Sequence, residues 1–416
     1  MPTDPGTEPN ASEADDPADI SRLEAELAQT RNERDAARRE VRAIRNSRSY
    51  RIGRGISRLP HSIKGLAHRV QRPPLAADER QAQPAASALP APRFARPPRA
   101  TRPERVDLPD VTVVIPVFNS EKWLDDCLSS VLAQTGVTLE VLAINDGSTD
   151  DSRNLLQRYA DTDPRLTILD QPNSGQSVGR NAGIDAAAGR YLVFLDSDDY
   201  WPHDTLAPLV ARADDETLDV LLFDCHAFQD GAVPTEIWKR YETYYQRSRD
   251  YTAVRPGDQM IVAMRAHRDY RPHVGMYLAR TEYVRRSGVR FIPGIVHQDN
   301  PYTFRLLLHA ERVAHAKSDI YARRIRPGST ITSLDSSRSA KGYFLSYVEM
   351  MRELRLHDTS PEIMARLCDV VHGVFDGAQK AASGLSSREL ADLAALDAHP
   401  DAQLTLRAIA TSSGRR

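Results

Sequence analysis

Short apolar runs alternate with amphipathic helical patterns through the middle of the chain. Each run has the length of a buried strand, and helices between strands imply a mostly parallel sheet that is covered on both faces. We therefore expect an α/β fold that begins near Val111. The predicted strands span 111–117, 139–145, 166–169, 190–195 and 218–223, and the predicted helices span 121–134, 150–160, 176–188 and 203–213.

Beyond residue 230 the alternation weakens and helical spacing dominates. One further run, 274–280, has the character of a strand. The C-terminal part of the chain is therefore expected to be helical. The predicted helices span 257–268, 298–309, 340–357, 361–380 and 387–397.

The N-terminal quarter of the chain follows a different pattern. Residues 1–19 are acidic and rich in Pro and Ser, which is typical of disordered chain. Residues 20–46 repeat apolar positions at a three-four spacing, which indicates either a short coiled coil that forms a homo-oligomer or a lone solvated helix. Residues 47–70 form a basic amphipathic segment that either rests on an anionic membrane or packs against the main domain. Residues 71–109, rich in Pro, Ala and Arg, are predicted to be a linker.

Composition and charge narrow the class of protein. The chain has 416 residues, of which 41% are hydrophobic, and its net charge is −2. Basic residues concentrate between Val41 and Arg105, which favours a basic arm for an anionic surface and no nucleic-acid partner. The three cysteines show neither a metal-ligand spacing nor a disulfide pattern. Without a recognisable signal peptide or long apolar stretch, we expect a cytoplasmic protein, and the membrane alternative for residues 47–70 would place it at the inner face of the cell membrane.

An acidic cluster ends the apolar run at 190–195. Burying an unpaired carboxylate is costly, so acids at the end of a strand are expected to face a cation or water. Asp196 and Asp198, one residue apart, can both reach one hard cation whose other ligands come from a phosphate. Helix capping is the alternative, and Asp199 is the best candidate for it.

Two further polar clusters also follow predicted strands. They are Pro116 to Asn119 and Asn145 to Ser148. Ligands of parallel α/β sheets bind at the carboxyl ends of the strands. The three clusters are therefore expected to form one site.

Several motifs, in this order and spacing, resemble those of the family 2 glycosyltransferases. They are VTVVIPVFNSEKW, INDGSTDDS, SVGRNAG, VFLDSDD, HQDN and ARRIRPGSTIT. The resemblance covers roughly residues 110–333 and implies a GT-A domain (Rossmann-like, with a mostly parallel sheet), followed by a helical extension at 334–416. It implies inverting, metal-dependent transfer of a sugar from a nucleotide-diphosphate sugar to a hydroxyl of a glycan or polyprenyl-linked acceptor, as in surface polysaccharide synthesis.

The resemblance assigns donor-binding roles to several residues. Asp198 would ligate Mn²⁺ or Mg²⁺ on the donor diphosphate, and Asp196 would contact the ribose or the same metal. Asp146 would accept a hydrogen bond from the nucleotide base. Phe118, which follows Pro116 at the end of the first strand, would lie against the face of that base.

The resemblance also assigns the base and two arginines. Asp299 would take the proton from the acceptor hydroxyl, with Gln298 where the family usually has Glu. His297 is either a partner of this aspartate or a surface histidine. Arg180 would lie near the donor base or phosphates, and Arg326 belongs to a loop that would close over the diphosphate. The structural alternatives are a helix N-cap for Asp299, an exposed helix arginine for Arg180 and a basic surface loop for Arg326.

Two other functions remain open at this point. A nucleotidyltransferase can use a similar sheet, although such enzymes usually carry a Gly-rich, Lys-containing loop where this chain has PVFNSEKW. A catalytically silent scaffold that binds a nucleotide sugar is the second alternative. The retained acids argue against the silent protein, because acids that cost stability are usually lost when activity is lost.

Overall fold

The structure is a computed structural model that describes residues 108–329, 336–386 and 388–389. The predicted disordered stretch, coiled coil and basic amphipathic segment lie outside the described residues. So do nearly all of the linker and of the predicted helix 387–397.

Within the described residues, seven strands form one sheet in the spatial order β3-β2-β1-β4-β6-β5-β7. The first four strands are parallel to one another, and β5 pairs in parallel with β7. The short strand β6 runs antiparallel to both β4 and β5. In chain order the strands are β1 Val111–Val117, β2 Leu139–Asn145, β3 Leu166–Asp170, β4 Tyr191–Phe194, β5 Val220–Gln229, β6 Tyr277–Arg280 and β7 Val313–Ile325.

Helices connect the strands and complete the C-terminal part. No helix among the described residues is long and apolar enough to cross a bilayer. The helices are α1 Leu124–Leu132, α2 Ser152–Thr162, α3 Gln176–Ala186, α4 Leu206–Asp215, α5 Thr235–Tyr241, α6 Gly257–Ala266, α7 Thr281–Ser287, α8 Asp299–Leu308, α9 Ser336–Leu356 and α10 Pro361–Ala382.

The two faces of the sheet are buried in two separate hydrophobic clusters. Val113 belongs to one cluster and its neighbour Val114 to the other, as expected where successive side chains of a strand point to opposite faces. The first cluster includes side chains of α1 and α4, and the second includes side chains of α3, α6 and α8 to α10. The predicted α/β fold with a mostly parallel, doubly covered sheet is therefore confirmed.

The main departures from the predicted elements lie after β4. The predicted strand 274–280 is a 3-10 turn at Val274–Met276 followed by β6. Strand β7 was not predicted, because the exposed polar residues Lys317, Ser318 and Asp319 interrupt its apolar pattern. At that point the register of β7 against β5 shifts. The irregularity in pairing therefore explains the irregularity in the sequence pattern.

Candidate active site

The carboxyl ends of β1, β2 and β4 lie side by side, and the polar residues that follow them are in contact. Ser120, which follows β1, shares a hydrogen bond of 2.7 Å between hydroxyl oxygens with Ser197, which follows β4. The backbone N–H of Asn119 donates to Oγ of Ser148, beyond β2, at 3.2 Å. The three strand ends therefore meet at one edge of the sheet, as predicted.

The acidic cluster at the end of β4 is balanced by arginines. Asp196, Asp198 and Asp199 present carboxylate oxygens within 4.8 Å of one another. Like charges at this separation repel unless a cation lies between them. Nη1 of Arg323 donates to Oδ2 of Asp196 at 2.6 Å and to Oδ2 of Asp199 at 2.7 Å. Arg326 donates to Oδ2 of Asp198 through Nε at 3.0 Å and Nη2 at 2.9 Å.

The prediction that Asp199 caps the next helix is wrong. Helix α4 begins at Leu206, and its N-cap is Thr205. Asp199 is instead fully buried, and it accepts hydrogen bonds from the Tyr321 hydroxyl at 2.6 Å and from the backbone N–H of Arg324 at 2.7 Å. It therefore joins β7 to the end of β4.

Arg180 of α3 lies between two of the predicted site acids. Its Nη2 donates to Oδ1 of Asp196 at 2.7 Å, and its Nη1 donates to Oδ1 of Asp299 at 3.3 Å. The side chain is only 2% exposed, and its guanidinium lies 5.2 Å from the ring centroid of Phe291. Arg180 is therefore a buried link between the end of β4 and α8. The alternative of an exposed helix arginine is wrong.

Helix α3 can place Arg180 at this depth because it lies close against β1 and β2. A Cβ atom at Gly183 would be 2.3 Å from Cγ1 of Val114. A Cβ at Gly179 would be 3.4 Å from Cγ2 of Ile144. Glycine at these positions on α3 therefore allows the approach that brings Arg180 to the edge of the sheet.

Asp299 is the first residue of α8, and Gln298 is the N-cap. The alternative in which Asp299 caps the helix is therefore wrong. The Gln298 side chain donates through Nε2 to Oε1 of Gln176 at 2.9 Å, and Nε2 of Gln176 donates to Oδ1 of Asp196 at 3.2 Å. The residue that replaces the usual Glu thus takes part in a chain of amide hydrogen bonds that leads to the acidic cluster.

Burial and charge act differently on the two acids that Arg180 joins. Burial would raise the pKa of Asp196, but the charges of Arg180 and Arg323 outweigh it and hold that pKa well below its usual value. Burial dominates at Asp299 and raises its pKa, although Arg180 opposes the change. A carboxylate with a raised pKa is a stronger proton acceptor. The electrostatics therefore keep Asp196 charged and make Asp299 the more basic of the two.

Asp146 holds the loop that leads into α3. Its Oδ1 accepts from the Ser174 backbone N–H at 2.8 Å and from Nε2 of Gln171 at 2.6 Å, and its Oδ2 accepts from the Gly175 backbone N–H at 2.8 Å. Gly175, at φ +89°, precedes the helix. Asp146 is therefore already engaged by protein donors, and its predicted contact with a nucleotide base would use the remaining lone pairs of these oxygens.

The two predicted residues at the end of β1 have different environments. Phe118 is 46% exposed, which leaves ring surface available to a flat ligand. Pro116 is buried within β1, where the Cβ position at Gly179 of α3 would lie 3.9 Å away. The structure therefore brings Phe118 to the surface of the site, whereas Pro116 packs beneath α3.

Arg326 and Arg324 connect the end of β7 to the first helix of the domain. The guanidinium carbon of Arg326 lies 3.7 Å from the ring centroid of Trp123. Arg324 donates through Nη2 to Asp126 of α1 at 2.9 Å and through Nη1 to Asp230 at 3.1 Å. Arg326 is therefore held beside the acidic cluster by specific contacts, which favours its predicted place near the donor over the alternative of a basic surface loop.

Arg323 and Tyr321 were not predicted as site residues, because strand β7 was not predicted. Tyr321 and Arg323 are two residues apart on this strand, so their side chains point to the same face and reach the acids after β4. The available signal for this strand was the two-residue spacing of Tyr321, Arg323 and Ile325, which places their side chains on one face.

The carboxylates that follow β4 are suitable ligands for the divalent cation that the resemblance implies. Carboxylate oxygens are the ligands that Mg²⁺ and Mn²⁺ prefer, and three converge after β4. At Asp198, Oδ2 alone pairs with an arginine of the described residues, whereas both oxygens of Asp196 accept hydrogen bonds. Asp199 is buried. Asp198 is therefore the best-placed ligand, and Asp196 the second.

Comparison with known proteins is consistent with this architecture. The crystal structure of S. aureus TarS 1-349 in complex with UDP-GlcNAc superposes with a TM-score of 0.53 at 20% sequence identity, covering 73% of this chain and 89% of that chain. At this identity the likeness concerns the fold. Together, the sheet and the residues at its carboxyl edge define a protein of the GT-A fold.

The sequence comparisons find similarity to one family of glycosyltransferases. Residues 112–269 match the model for glycosyl transferase family 2. The uncharacterized glycosyltransferase YibD of Escherichia coli K12 is 32% identical over 211 residues, which are 51% of this chain and 60% of YibD. The succinoglycan biosynthesis protein ExoO of Rhizobium meliloti 1021 is 43% identical over 107 residues, which are 26% of this chain and 30% of ExoO. The matched residues, less than half of the chain, are therefore similar to glycosyl transferase family 2, and the chain spans less than two thirds of the length of each of these two relatives.

Proposed function

We propose that the protein transfers a sugar from a nucleotide-diphosphate sugar to a hydroxyl group of a glycan or polyprenyl-linked acceptor. The observation that carries the proposal is the position of Arg180, which contacts Asp196 at 2.7 Å and Asp299 at 3.3 Å. One guanidinium thus lies between an acid suited to the donor side and an acid suited to proton transfer. The UDP-GlcNAc bound in the TarS crystal structure supports a nucleotide-sugar donor.

In the proposed reaction, Asp299 accepts the proton of the acceptor hydroxyl. The acceptor oxygen forms a bond to the anomeric carbon while the bond from that carbon to the diphosphate oxygen breaks, so the configuration at the carbon inverts. The electron pair of the broken bond remains on the nucleoside diphosphate. The raised pKa of Asp299 suits the role of base, because it increases the driving force for proton transfer.

The leaving diphosphate needs positive charge close to its oxygens. Arg180, Arg323 and Arg326 surround the acidic cluster, and a guanidinium matches phosphate oxygens through parallel hydrogen bonds. A divalent cation on Asp198 and Asp196 would neutralise the charge that grows on the diphosphate. We propose that donor and cation together take over the contacts that these acids and arginines now make with each other.

The acceptor class is proposed from the relatives. ExoO is named for succinoglycan biosynthesis, which supports a role in the synthesis of a surface polysaccharide. The basic amphipathic segment at 47–70, which lies outside the described residues, would hold the enzyme at the inner face of the membrane, where polyprenyl-linked acceptors reside.

The test is turnover of a panel of nucleotide sugars with and without Mn²⁺ or Mg²⁺, with the released nucleotide identified by chromatography. We expect release of a nucleoside diphosphate. Asp299→Asn should reduce turnover by about 10²- to 10⁴-fold and leave donor binding unchanged. The matched control is Asp185→Asn on α3, where the carboxylate is exposed and pairs with Arg290 at 2.8 Å.

The alternatives predict other results. A nucleotidyltransferase would consume a sugar phosphate and release pyrophosphate. A silent binding protein would be stabilised by a donor, since a ligand that binds the native state raises the apparent stability, but it would release nothing. Full turnover by Asp299→Asn would overturn the assignment of the base.

A further inference from the structure

Helix α9 lies against the loop that immediately precedes the proposed base. We call residues 292–298, which lead into α8, the base loop. Nε2 of His297 and Oγ of Ser339 on α9 share a hydrogen bond of 2.8 Å. The ring of His297 stacks on that of Tyr343, also on α9, with a centroid distance of 3.8 Å and an interplanar angle of 17°. Helix α9 thus contacts the imidazole ring twice, by a hydrogen bond at its edge and by stacking on one of its faces.

The backbone of α9 also approaches the base loop closely. A Cβ atom at Gly342 would be 2.2 Å from the carbonyl oxygen of Val296. A backbone atom cannot move aside as the end of a flexible side chain can. Gly342 therefore allows the turn of α9 between Ser339 and Tyr343 to contact the base loop.

His297 has a backbone conformation that needs support. Its φ is +60°, in the left-handed region, which costs free energy for a residue with a Cβ and persists where surrounding contacts hold it. The His297 carbonyl oxygen accepts hydrogen bonds from the backbone N–H and from Nδ2 of Asn300, each at 3.1 Å. These bonds span Asp299. The conformation of His297 therefore sets the direction in which the first turn of α8 begins, and with it the position of the Asp299 carboxylate.

The chemistry of the His297 ring agrees with a holding role. Burial lowers the pKa of His297 to about 4, so the ring is neutral near pH 7. A neutral ring stacks on a tyrosine without the cost of burying a charge. One ring nitrogen then shares a proton with the Ser339 hydroxyl.

We propose that helix α9 positions the base, with Tyr343 and Ser339 holding His297 in the left-handed conformation that aims Asp299 at the acceptor. The proposal rests on the proposed function, in which Asp299 is the base. His297 and Tyr343 are then positioning residues that act through Asp299. Helix α9, which lies outside the matched residues 112–269, becomes part of the active site.

Two tyrosines of α9 provide a matched pair of variants. Tyr343 and Tyr347 lie one turn apart, both are half-buried, and both pack against the second sheet-face cluster and against a smaller cluster that α9 forms with α10. Tyr343 stacks on His297, whereas Tyr347 contacts the Phe375 ring of α10 at a centroid distance of 5.1 Å. Tyr343→Ala and Tyr347→Ala should therefore cost comparable packing, and only the first should release the base loop.

The first measurement is hydrogen–deuterium exchange of the segment 296–304, which does not depend on any substrate. Tyr343→Ala should increase exchange there by about tenfold or more, because an amide exchanges at a rate set by the local opening free energy. Tyr347→Ala should leave it unchanged, and Tyr343→Phe, which keeps the ring, should restore the protection. No change in Tyr343→Ala, or an equal change in both alanine variants, would overturn the proposal whether or not a donor sugar has been found.

The second measurement separates positioning from general stability. With a donor that the wild type turns over, Tyr343→Ala should lower kcat by about 10- to 100-fold without changing donor KM, since a misplaced catalytic group costs rate rather than binding. In the Asp299→Asn background the same substitution should cause no further loss. An equal loss in both backgrounds would overturn the proposal, while normal activity of Asp299→Asn itself would overturn the assignment of Asp299 as the base in the proposed function.

Discussion

Arg326 lies over the indole ring of Trp123, with its guanidinium carbon 3.7 Å from the ring centroid. The same guanidinium contacts Oδ2 of Asp198 through two nitrogen atoms. Trp123 is fixed in turn, because its Nε1–H donates to Asp230 at 2.9 Å. The arginine at the end of β7 is therefore oriented toward the proposed metal ligand by an aromatic ring at the start of α1.

Trp123→Leu should weaken donor binding without removing any charge. A cation–π contact contributes about 0.5–2 kcal/mol, so donor KM should rise about 2- to 30-fold as Arg326 loses its orientation. Steady-state kinetics with varied donor measures the effect. Lys122→Ala is the control, because the Lys122 ammonium lies 5.3 Å from the centroid of the same ring but contacts no site acid that the structure describes. Equal KM values for wild type and Trp123→Leu would show that Trp123 does not orient Arg326.

Adjacent acids of the cluster should respond differently to neutralisation. Asp199 is fully buried and accepts hydrogen bonds from Arg323, Tyr321 and a backbone N–H, so Asp199→Asn weakens these bonds while Arg323 keeps Asp196, and it should lower the free energy of unfolding by about 1–3 kcal/mol. Asp198 is partly exposed, and Asp198→Asn should change stability far less but abolish the dependence of turnover on a divalent cation. Urea unfolding and a metal titration of activity measure the two effects. A large loss of stability in both variants would contradict the division of roles.

The sequence patterns that predicted the site involve residues close together in the chain. They indicated the parts of the site that depend on short stretches of sequence. The acids after β4 follow directly on an apolar strand, so chain order alone indicated them, whereas Asp299 was assigned through the resemblance of its HQDN motif. Arg180 was placed on a helix by its spacing. Its burial, in contrast, depends on how closely α3 approaches Val114, and this closeness is set by Gly183.

The parts that were missed depend on contacts between residues far apart in the chain. Asp199 and Arg323 are joined only because β7 pairs with β5 and turns its side chains toward the end of β4. Seen locally, an acid shortly before a helix resembles a cap, and a strand with a polar bulge resembles a loop. Long-range pairing overrides both local signals. For the same reason no pattern indicated that α9 would contact His297.

Gly183→Ala should move α3 away from the sheet. The added methyl group would lie 2.3 Å from Val114, so either the helix or the strand must shift, at a cost of about 1–3 kcal/mol in the free energy of unfolding. Arg180, three residues earlier, would move with the helix, so turnover should fall as well. Gly373→Ala on α10 is the control, because a Cβ there meets only Nη2 of Arg265, at 3.5 Å. That variant should be stabilised by roughly 0.5–1 kcal/mol through the better helix propensity of alanine. A Gly183→Ala protein as stable as the wild type would contradict the close packing of α3.

His273 should make the fold sensitive to mild acid. Burial, together with the charge of Arg323, lowers the pKa of His273 from 6.5 to about 3, and its Nδ1 accepts a hydrogen bond from the Gly275 backbone N–H at 3.1 Å. Between pH 6.5 and 3 the unfolded chain therefore binds a proton that the folded protein does not. The contribution of neutral His273 to the free energy of unfolding is complete above pH 6.5. It is lost as the pH falls toward 3, by at most about 1.4 kcal/mol per pH unit.

His273→Asn keeps an acceptor for Gly275 and removes the titrating group. The free energy of unfolding, measured by urea titration at successive pH values, should fall less steeply for this variant than for the wild type between pH 6.5 and 3. His203→Asn, at an exposed position, is the control and should follow the wild-type slope. The comparison must be made between slopes, because the loss of the buried ring lowers the stability of His273→Asn at every pH. Parallel curves for wild type and His273→Asn would mean that the folded protein protonates His273 as readily as the unfolded chain does.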